Sequence, residues 1–467
     1  MLSFIIYLAG IWTYRVAQGQ SVQKAFIYAY MPILLLLPDY FQAVTPGIPD
    51  PTFSQASSVA LFAVFIMKGS PGYRFSYTDV VVVVYALSVS ISQYLALGYS
   101  DAQNLMFNEL TSVLFPYIFA KSLVEPFNLR YDFVKSVVLC LCVVFVCNLY
   151  ENKMGINLWQ LLLARFFPGQ GSGWITTFRF GLARASGPYG HCLVDGVIMA
   201  VGYRFQRWLQ WSEAWPVKIK QLAWVPWFSP TQVFTLMMLG GVLSTLGKGQ
   251  WLAGIIGAAL VIIGRFKNRG LAMTVVLIVM IAVGIPALGA FLNYASVGRA
   301  NALDANQETA CYRYELIEIY MGIAAEHLWF GWGLMNFPEV PGAESIDNNF
   351  LLVYLNHGII AVSVILGIIF VMMVRLIRHG MAQPFAEPRG SSLAFTLAAI
   401  YLMYFIATAT VAMMLQSCTM FFIITGLSDA YLRTSTWDGD QGNSNSNSNS
   451  KTKTPIDARL FKFRKVI

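Results

Sequence analysis

Two stretches of this chain, Val80 to Gly98 and Leu271 to Leu292, carry no charged residue at all. Each is as long as the roughly 20 apolar residues with which a helix crosses the hydrocarbon of a bilayer. Composition extends the constraint to the whole chain. Of 467 residues, 57% are hydrophobic and only 12% charged, whereas soluble proteins carry about 25% charged residues. A soluble enzyme, a secreted disulfide scaffold and a disordered chain are excluded. The fold class expected is all-α: a polytopic transmembrane helical bundle.

Apolar runs place spans near 2–14, 25–41, 56–67, 80–98, 105–120, 133–150, 187–203, 230–246, 250–264, 271–292, 349–374, 391–412 and 414–432. Twelve or thirteen spans are expected, within a range of eleven to fourteen. Basic residues orient them, because Lys and Arg collect in cytoplasmic loops. With thirteen spans, 23 of the 31 basic residues fall on one side. They are Arg15, Lys24, Lys68, Arg74, Lys121, Arg130, Arg204, Arg207, Lys218, Lys220, Arg265, Lys267, Arg269, Arg375, Arg378 and Arg389, with seven more from Arg433 to Lys465. That side is read as the cytoplasm, so the N-terminus faces outward and the C-terminus inward. The N-terminus lacks the basic region and small-residue site of a cleaved signal peptide. The six cysteines show no paired metal-site spacing and are read as small hydrophobes.

The bundle is expected to occupy residues 1–433, with two long outer loops at 151–186 and 293–348. Residues 434–467 are expected to form a disordered cytoplasmic tail, since Asn443 to Ser450 alternate Asn and Ser. The second loop has a net charge of −6, with a helix-like stretch from Tyr312 to Trp329. Ordered loops of that size are usually functional.

Some cations break the inside-positive pattern. Lys153, Arg165, Arg179, Arg184, Lys248, Arg299 and Arg313 are left on the outer side, and Lys135 lies inside a span. A single Arg at a membrane edge often just snorkels to headgroups. Several on one face suit phosphate oxygens. An outward phosphate site in a bacterial-type membrane protein points to a lipid-linked pyrophosphate, because nucleotide sugars and ATP are absent there.

These residues resemble a known group. Arg184-Ala185-Ser186-Gly187-Pro188-Tyr189-Gly190-His191 resembles the Arg-x-x-Gly-x-x-Gly-His segment of the O-antigen ligase and polysaccharide polymerase superfamily. Ser244-Thr245-Leu246-Gly247-Lys248-Gly249 is similar to its Thr-x-Ser-Arg-Gly turn, with Lys248 near the usual Arg. Arg313, then Glu318 and Trp329-Phe330-Gly331-Trp332-Gly333, is similar to its Arg…Pro-Leu-x-Gly-x-Gly loop, without the proline. Asp347-Asn348 with Gly358 has the spacing of the ligases' His-Asn…Gly motif, with Asp347 in place of His.

The resemblance covers about 180–375 and implies an all-helical, C-type-like glycosyltransferase that needs no metal or other cofactor. It implies transfer from a polyprenyl-pyrophosphate-linked oligosaccharide to a glycan acceptor at the outer face of the bacterial inner membrane. Membrane lipids, a chain-length regulator and export proteins are expected as further partners, and nucleic acid is not. Arg184, Lys248, Arg313 and Arg179 would hold the pyrophosphate. Asp347 is the first choice of base, with Glu315 and Glu318 as further catalytic candidates and His191 and Asn348 in support. The carboxylate at 347 resembles polymerases more than ligases, so polymerisation of repeat units into a surface polysaccharide or exopolysaccharide is favoured over attachment to a lipid A core.

Bland roles stand beside these. Asp347 suits a helix N-cap, and Glu315 and Glu318 suit a solvated helix face. Asp195 suits a structural pair with Arg184. Trp174, Tyr189, Trp329 and Trp332 suit interfacial anchors. The competing class is a lipid-linked oligosaccharide flippase. It would need cations through the full depth of a cavity rather than at one rim, and paired inverted halves are not visible.

Overall fold

The computed structural model describes residues 2–44, 49–173, 175–216, 229–343, 345–383, 392–413 and 415–444. Trp174, Lys218, Lys220, Glu344, Arg389 and the chain from 445 onward lie outside the described residues. Each of the thirteen expected runs falls on a helix. In order these are α1 (Ile5–Gly19), α2 (Val22–Leu36), α3 (Phe53–Met67), α4 (Tyr77–Leu97), α5 (99–123), α6 (Arg130–Met154), α7 (Cys192–Trp211), α8 (Pro230–Ser244), α9 (Lys248–Arg265) and α10 (Arg269–Ala295). The loop helix α11 (Ala305–Glu326) follows, then α12 (Asn349–Ala382), α13 (Leu393–Thr408) and α14 (Leu415–Ser444). The protein is a helical polytopic membrane protein.

By length and composition, α4, α6, α10 and α12 suffice to cross a membrane, and α2, α3, α8 and α13 are shorter apolar helices. α14 continues past the expected boundary at 433 as far as Ser444.

Local sequence explains many helix starts. Thr52 with Gln55, Ser76 with Asp79 and Ser229 with Gln232 form capping boxes before α3, α4 and α8, each satisfying backbone N–H groups that a first turn leaves open. Packing then pairs α1 with α3, α5 with α14, α9 with α13, α7 with α8, and α12 with both α4 and α13.

One end of the bundle gathers the expected inner cations. Lys68 Nζ donates to the Ala17 carbonyl at 2.7 Å, and Arg433 donates to the Arg74 and Phe75 carbonyls at 3.0 and 3.2 Å. Lys121, 1% exposed, is bound between Asp79 and Asp429, which ties α4, α5 and α14 together. Ser76 and Thr78 also donate to Asp429, so each buried charge has partners, as burial requires.

α12 is broken in its N-terminal third. Gly358 has φ +76 and ψ −175, a backbone region that only glycine occupies readily. The break frees backbone groups within the bundle, and the segment after α11 satisfies them. Trp332 N–H donates to the Leu355 carbonyl, Gly333 N–H to Asn356, and Ile359 N–H to Leu328, at 2.8, 2.9 and 2.8 Å. A Cβ on Gly358 would lie 2.3 Å from the Trp329 carbonyl oxygen. Irregular backbone survives at membrane depth only where protein covers it.

Candidate functional site

The opposite end of the bundle carries Arg179, Arg184, Lys248, Arg299 and Arg313. Arg179 lies in a two-stranded hairpin and Arg184 follows it, with Phe178 paired to Ala183 and Arg179 to Leu182. Its turn residues Phe180 and Gly181 both have positive φ, as a two-residue hairpin turn requires. Asn152, near the end of α6, pins the hairpin by donating to the Ala183 carbonyl and to the Ser244 carbonyl, at 2.6 and 2.8 Å.

Both arginines then reach the turn between α8 and α9. Arg179 Nη1 donates to the Leu246 carbonyl at 2.6 Å, and Arg184 Nε to Thr245 at 3.3 Å. These carbonyls follow the C-terminus of α8, where cations are favourable. The same turn continues into Gly247 and Lys248, where α9 begins without a side-chain cap. First-turn N–H groups of this kind favour an anion.

α11 forms the facing wall. Lys248 Nζ donates to Asn306 Oδ1 at 3.1 Å. Arg313 lies two turns further along, close to the Asn306 face at 100° per residue. Its guanidinium stands 3.7 Å from the Asp347 carboxylate, and its Nε is buried without a partner among the described residues. Asp347 also lies in the field of Arg184, whose pKa is lowered by burial and by Arg179 and raised by Asp347. Arg179, Arg184 and Lys248 therefore sit on one turn, with the Arg313–Asp347 pair opposite.

The segment carrying Asp347 is held against α11 by tyrosines. Tyr312 OH donates to the Ser345 carbonyl at 2.8 Å and accepts from Ser345 N–H at 3.1 Å. Tyr320 OH donates to the Ala343 carbonyl at 3.0 Å and accepts from Val340 N–H at 3.2 Å. Asn348 caps α12, accepting from Phe350 and Leu351 N–H at 3.0 and 3.3 Å. The cap is thus Asn348, which leaves the Asp347 carboxylate to Arg313 and, at 3.4 Å, the Ser345 hydroxyl.

The other sequence candidates sit elsewhere. Glu315 is bound by Arg299 through its backbone N–H and its Nε, at 3.0 and 2.6 Å, and Arg299 Nη1 donates on to the Gly342 carbonyl. Glu318 is exposed and interacts with Tyr314. Both lie well round α11 from Arg313, at about 200° and 140° by helical geometry. His191 caps α7, its Nδ1 accepting from Leu193 N–H at 3.1 Å. Asp195 takes Asn148 as hydrogen-bond donor, at 2.6 Å, while Arg184 donates to the Thr245 carbonyl.

Residues 233–366 match a family model described as O-antigen ligase. Over that segment the chain is similar to O-antigen ligases. The matched segment runs from α8 into α12 and holds Lys248, Arg313, Asp347 and Asn348. Arg179, Arg184 and His191 lie before it. No curated protein matches the chain.

Sequence reasoning missed Asn306, the Arg299–Glu315 pair and the two tyrosine pins. Their spacing along the chain carries no motif, because each contact joins α11 to a loop whose path only the fold sets. Gly331, Gly333 and Gly358 did signal special backbone.

Proposed function

We propose that this protein is a membrane glycosyltransferase that joins polyprenyl-pyrophosphate-linked saccharide units at the outer face of the bacterial inner membrane. The reading rests on one observation: Arg179, Arg184 and Lys248 share a turn that faces Arg313 and Asp347. The family match supports a lipid-linked glycan and an acceptor as substrates.

In this reading the donor pyrophosphate lies among the cations. Arg184 and Lys248 hold its oxygens and offset the charge that grows as the bond to the anomeric carbon breaks, the electrostatic work fixed cations do best. Arg313 joins them, and in doing so it leaves Asp347. The freed carboxylate takes the proton of the acceptor hydroxyl while that oxygen attacks the anomeric carbon. One displacement inverts the centre and releases polyprenyl pyrophosphate. Glu315, already bound by Arg299, is assigned to holding the loop. Glu318 takes no step.

The carboxylate at 347 favours polymerisation of repeat units. The family description favours a second reading, ligation of a finished glycan to a lipid A core. Products distinguish them. Cells lacking the protein should carry single repeats on the mature surface glycan if it polymerises, and long chains stranded on carrier lipid if it ligates. Arg184→Ala should lose polymer while lipid-linked repeats accumulate on the outer face; accumulation on the cytoplasmic face would overturn the transferase reading in favour of a flippase.

A further inference from the structure

One face of α6 carries Asn148, Glu151 and Asn152, at the i, i+3 and i+4 spacing that lines side chains up along a helix. Asn148 binds Asp195 in α7. The other two meet the chain on either side of Arg184. Glu151 is 1% exposed and makes no ion pair among the described residues. Four hydrogen bonds serve it instead. Its Oε1 accepts from the Ser186 N–H at 3.1 Å and from the Ser186 hydroxyl at 2.9 Å. Its Oε2 accepts from the Gly187 N–H and from Asn157 Nδ2, both at 3.1 Å.

These partners dictate the group they hold. Three of the four are N–H donors that cannot turn round to accept, and they are spread over both oxygens. A carboxylate accepts at both positions, whereas an amide would set its own NH₂ against a donor. Ser186 is in the right-handed region at φ −111 and ψ −15, and Gly187 follows at φ +54. Successive N–H groups in that sequence of conformations form a concavity for an anion. The protein's own carboxylate fills it, so a phosphate meets this segment through the Arg184 side chain rather than the backbone.

Asn152 completes the grip, since its amide binds the Ala183 and Ser244 carbonyls together. Ala185 N–H also donates to Ser244, at 3.4 Å, and Asn157 Nδ2 donates to the Gly187 carbonyl at 2.8 Å. The backbone is therefore held before Arg184 at Ala183 and after it at Ser186 and Gly187. The same Asn152 holds the end of α8, from which the turn to Lys248 starts. We infer that Glu151 is a positioning residue for the donor site: it touches no substrate, and it sets Arg184 against the Lys248 turn. The inference rests on the pyrophosphate reading of the cation set. Fixing the backbone on both sides of a long side chain lowers the entropy lost when its guanidinium takes a ligand. Arg313 is carried by α11 and paired with Asp347 instead, and that difference makes a test specific.

Binding of radiolabelled polyprenyl pyrophosphate to the full-length protein in lipid nanodiscs provides it. Glu151→Gln should weaken binding about tenfold in the wild-type background. The same factor is expected on top of Arg313→Ala, but less than about twofold on top of Arg184→Ala, because the arginine that Glu151 serves is then gone. Equal losses in both backgrounds would mark a general loss of structure, and no loss in any would mark a carboxylate without part in the site; either overturns the inference. Glu151→Asp keeps both acceptors at shorter reach and should restore part of the loss. Hydrogen exchange gives a second readout that needs no ligand. In Glu151→Gln the amides of Ser186 and Gly187 should exchange faster while those of α11 do not, and unchanged protection at 186–187 overturns the inference. Should Glu151→Gln not fold, Asn157→Ala removes one donor from the same carboxylate and should give smaller shifts in the same pattern. If Arg184→Ala and Arg313→Ala both bind the probe as wild type does, the pyrophosphate reading falls by itself, and exchange at 186–187 still decides whether Glu151 holds the segment.

Discussion

At the scale of single residues, the Arg313–Asp347 pair carries the most consequence. At 3.7 Å with both side chains about 40% exposed, it is a weak, solvent-screened contact, so the pyrophosphate of the proposed reaction would take Arg313 at little cost. Asp347→Asn keeps the shape and removes the proposed base, and transfer should fall by about 10²-fold or more. Release of polyprenyl pyrophosphate from membranes measures it. Arg313→Lys keeps charge but loses the planar fork, and an intermediate loss is expected in the same assay. Glu315 behaves differently, because the Arg299 backbone N–H, and after it the guanidinium, hold its carboxyl below the usual range while burial opposes them. A carboxylate with a depressed folded value contributes stability that is fully present above about pH 4.3, its unfolded value, and is lost as pH falls through the folded value. Hydrogen exchange across α11 should therefore rise in acid below that point, and the rise should be absent in Glu315→Gln. Arg184 and Lys248 stood out in the sequence because they break the inside-positive pattern. The separate placement of Glu315 and Glu318 was not, since a helix of known phase does not reveal which face meets its neighbour.

At the scale of elements, the broken α12 and the segment that mends it form one unit. Gly358→Ala would place a side chain in a backbone region costing about 1–3 kcal/mol and drive a Cβ toward the Trp329 carbonyl, 2.3 Å away. A clear drop in thermal midpoint in detergent is expected, together with lost transfer, because the strap to Asp347 begins in the same segment. Asn348→Ala removes only the cap and should cost about 1 kcal/mol, a smaller fall in the same melt. Apolar period and basic loops sufficed to find the helices. The break was visible only as a glycine at a motif spacing, for nothing in a local apolar run shows that a distant loop will supply the missing hydrogen bonds. The tyrosines at 312 and 320 read equally well as ordinary core or surface aromatics until the fold brings Ser345 and Ala343 to their hydroxyls.

At the scale of the whole molecule, cations divide between two ends, one tied by Lys68, Lys121, Arg130 and Arg433 and the other by Arg179, Arg184, Lys248 and Arg313. If the first end is cytoplasmic, a cysteine at position 248 should react with an impermeant thiol reagent in intact spheroplasts, and one at position 68 only after lysis. α10 stands apart from this body. None of its membrane window is buried, and the bonds that hold it lie at its ends, from Arg269 to the Gly380 and Gln383 carbonyls and from Gln307 to the Tyr294 carbonyl. Its charge-free stretch Leu271 to Leu292 measures about 33 Å, close to a hydrocarbon core of about 30 Å, so the local bilayer thickness sets how far it leans. Since α11 hangs from its C-terminal end, a thinner or thicker bilayer changes the lean and shifts the wall that bears Arg313. Lipid chain length thereby becomes a mechanical input to the enzyme, and turnover in vesicles of graded acyl length should pass through a maximum.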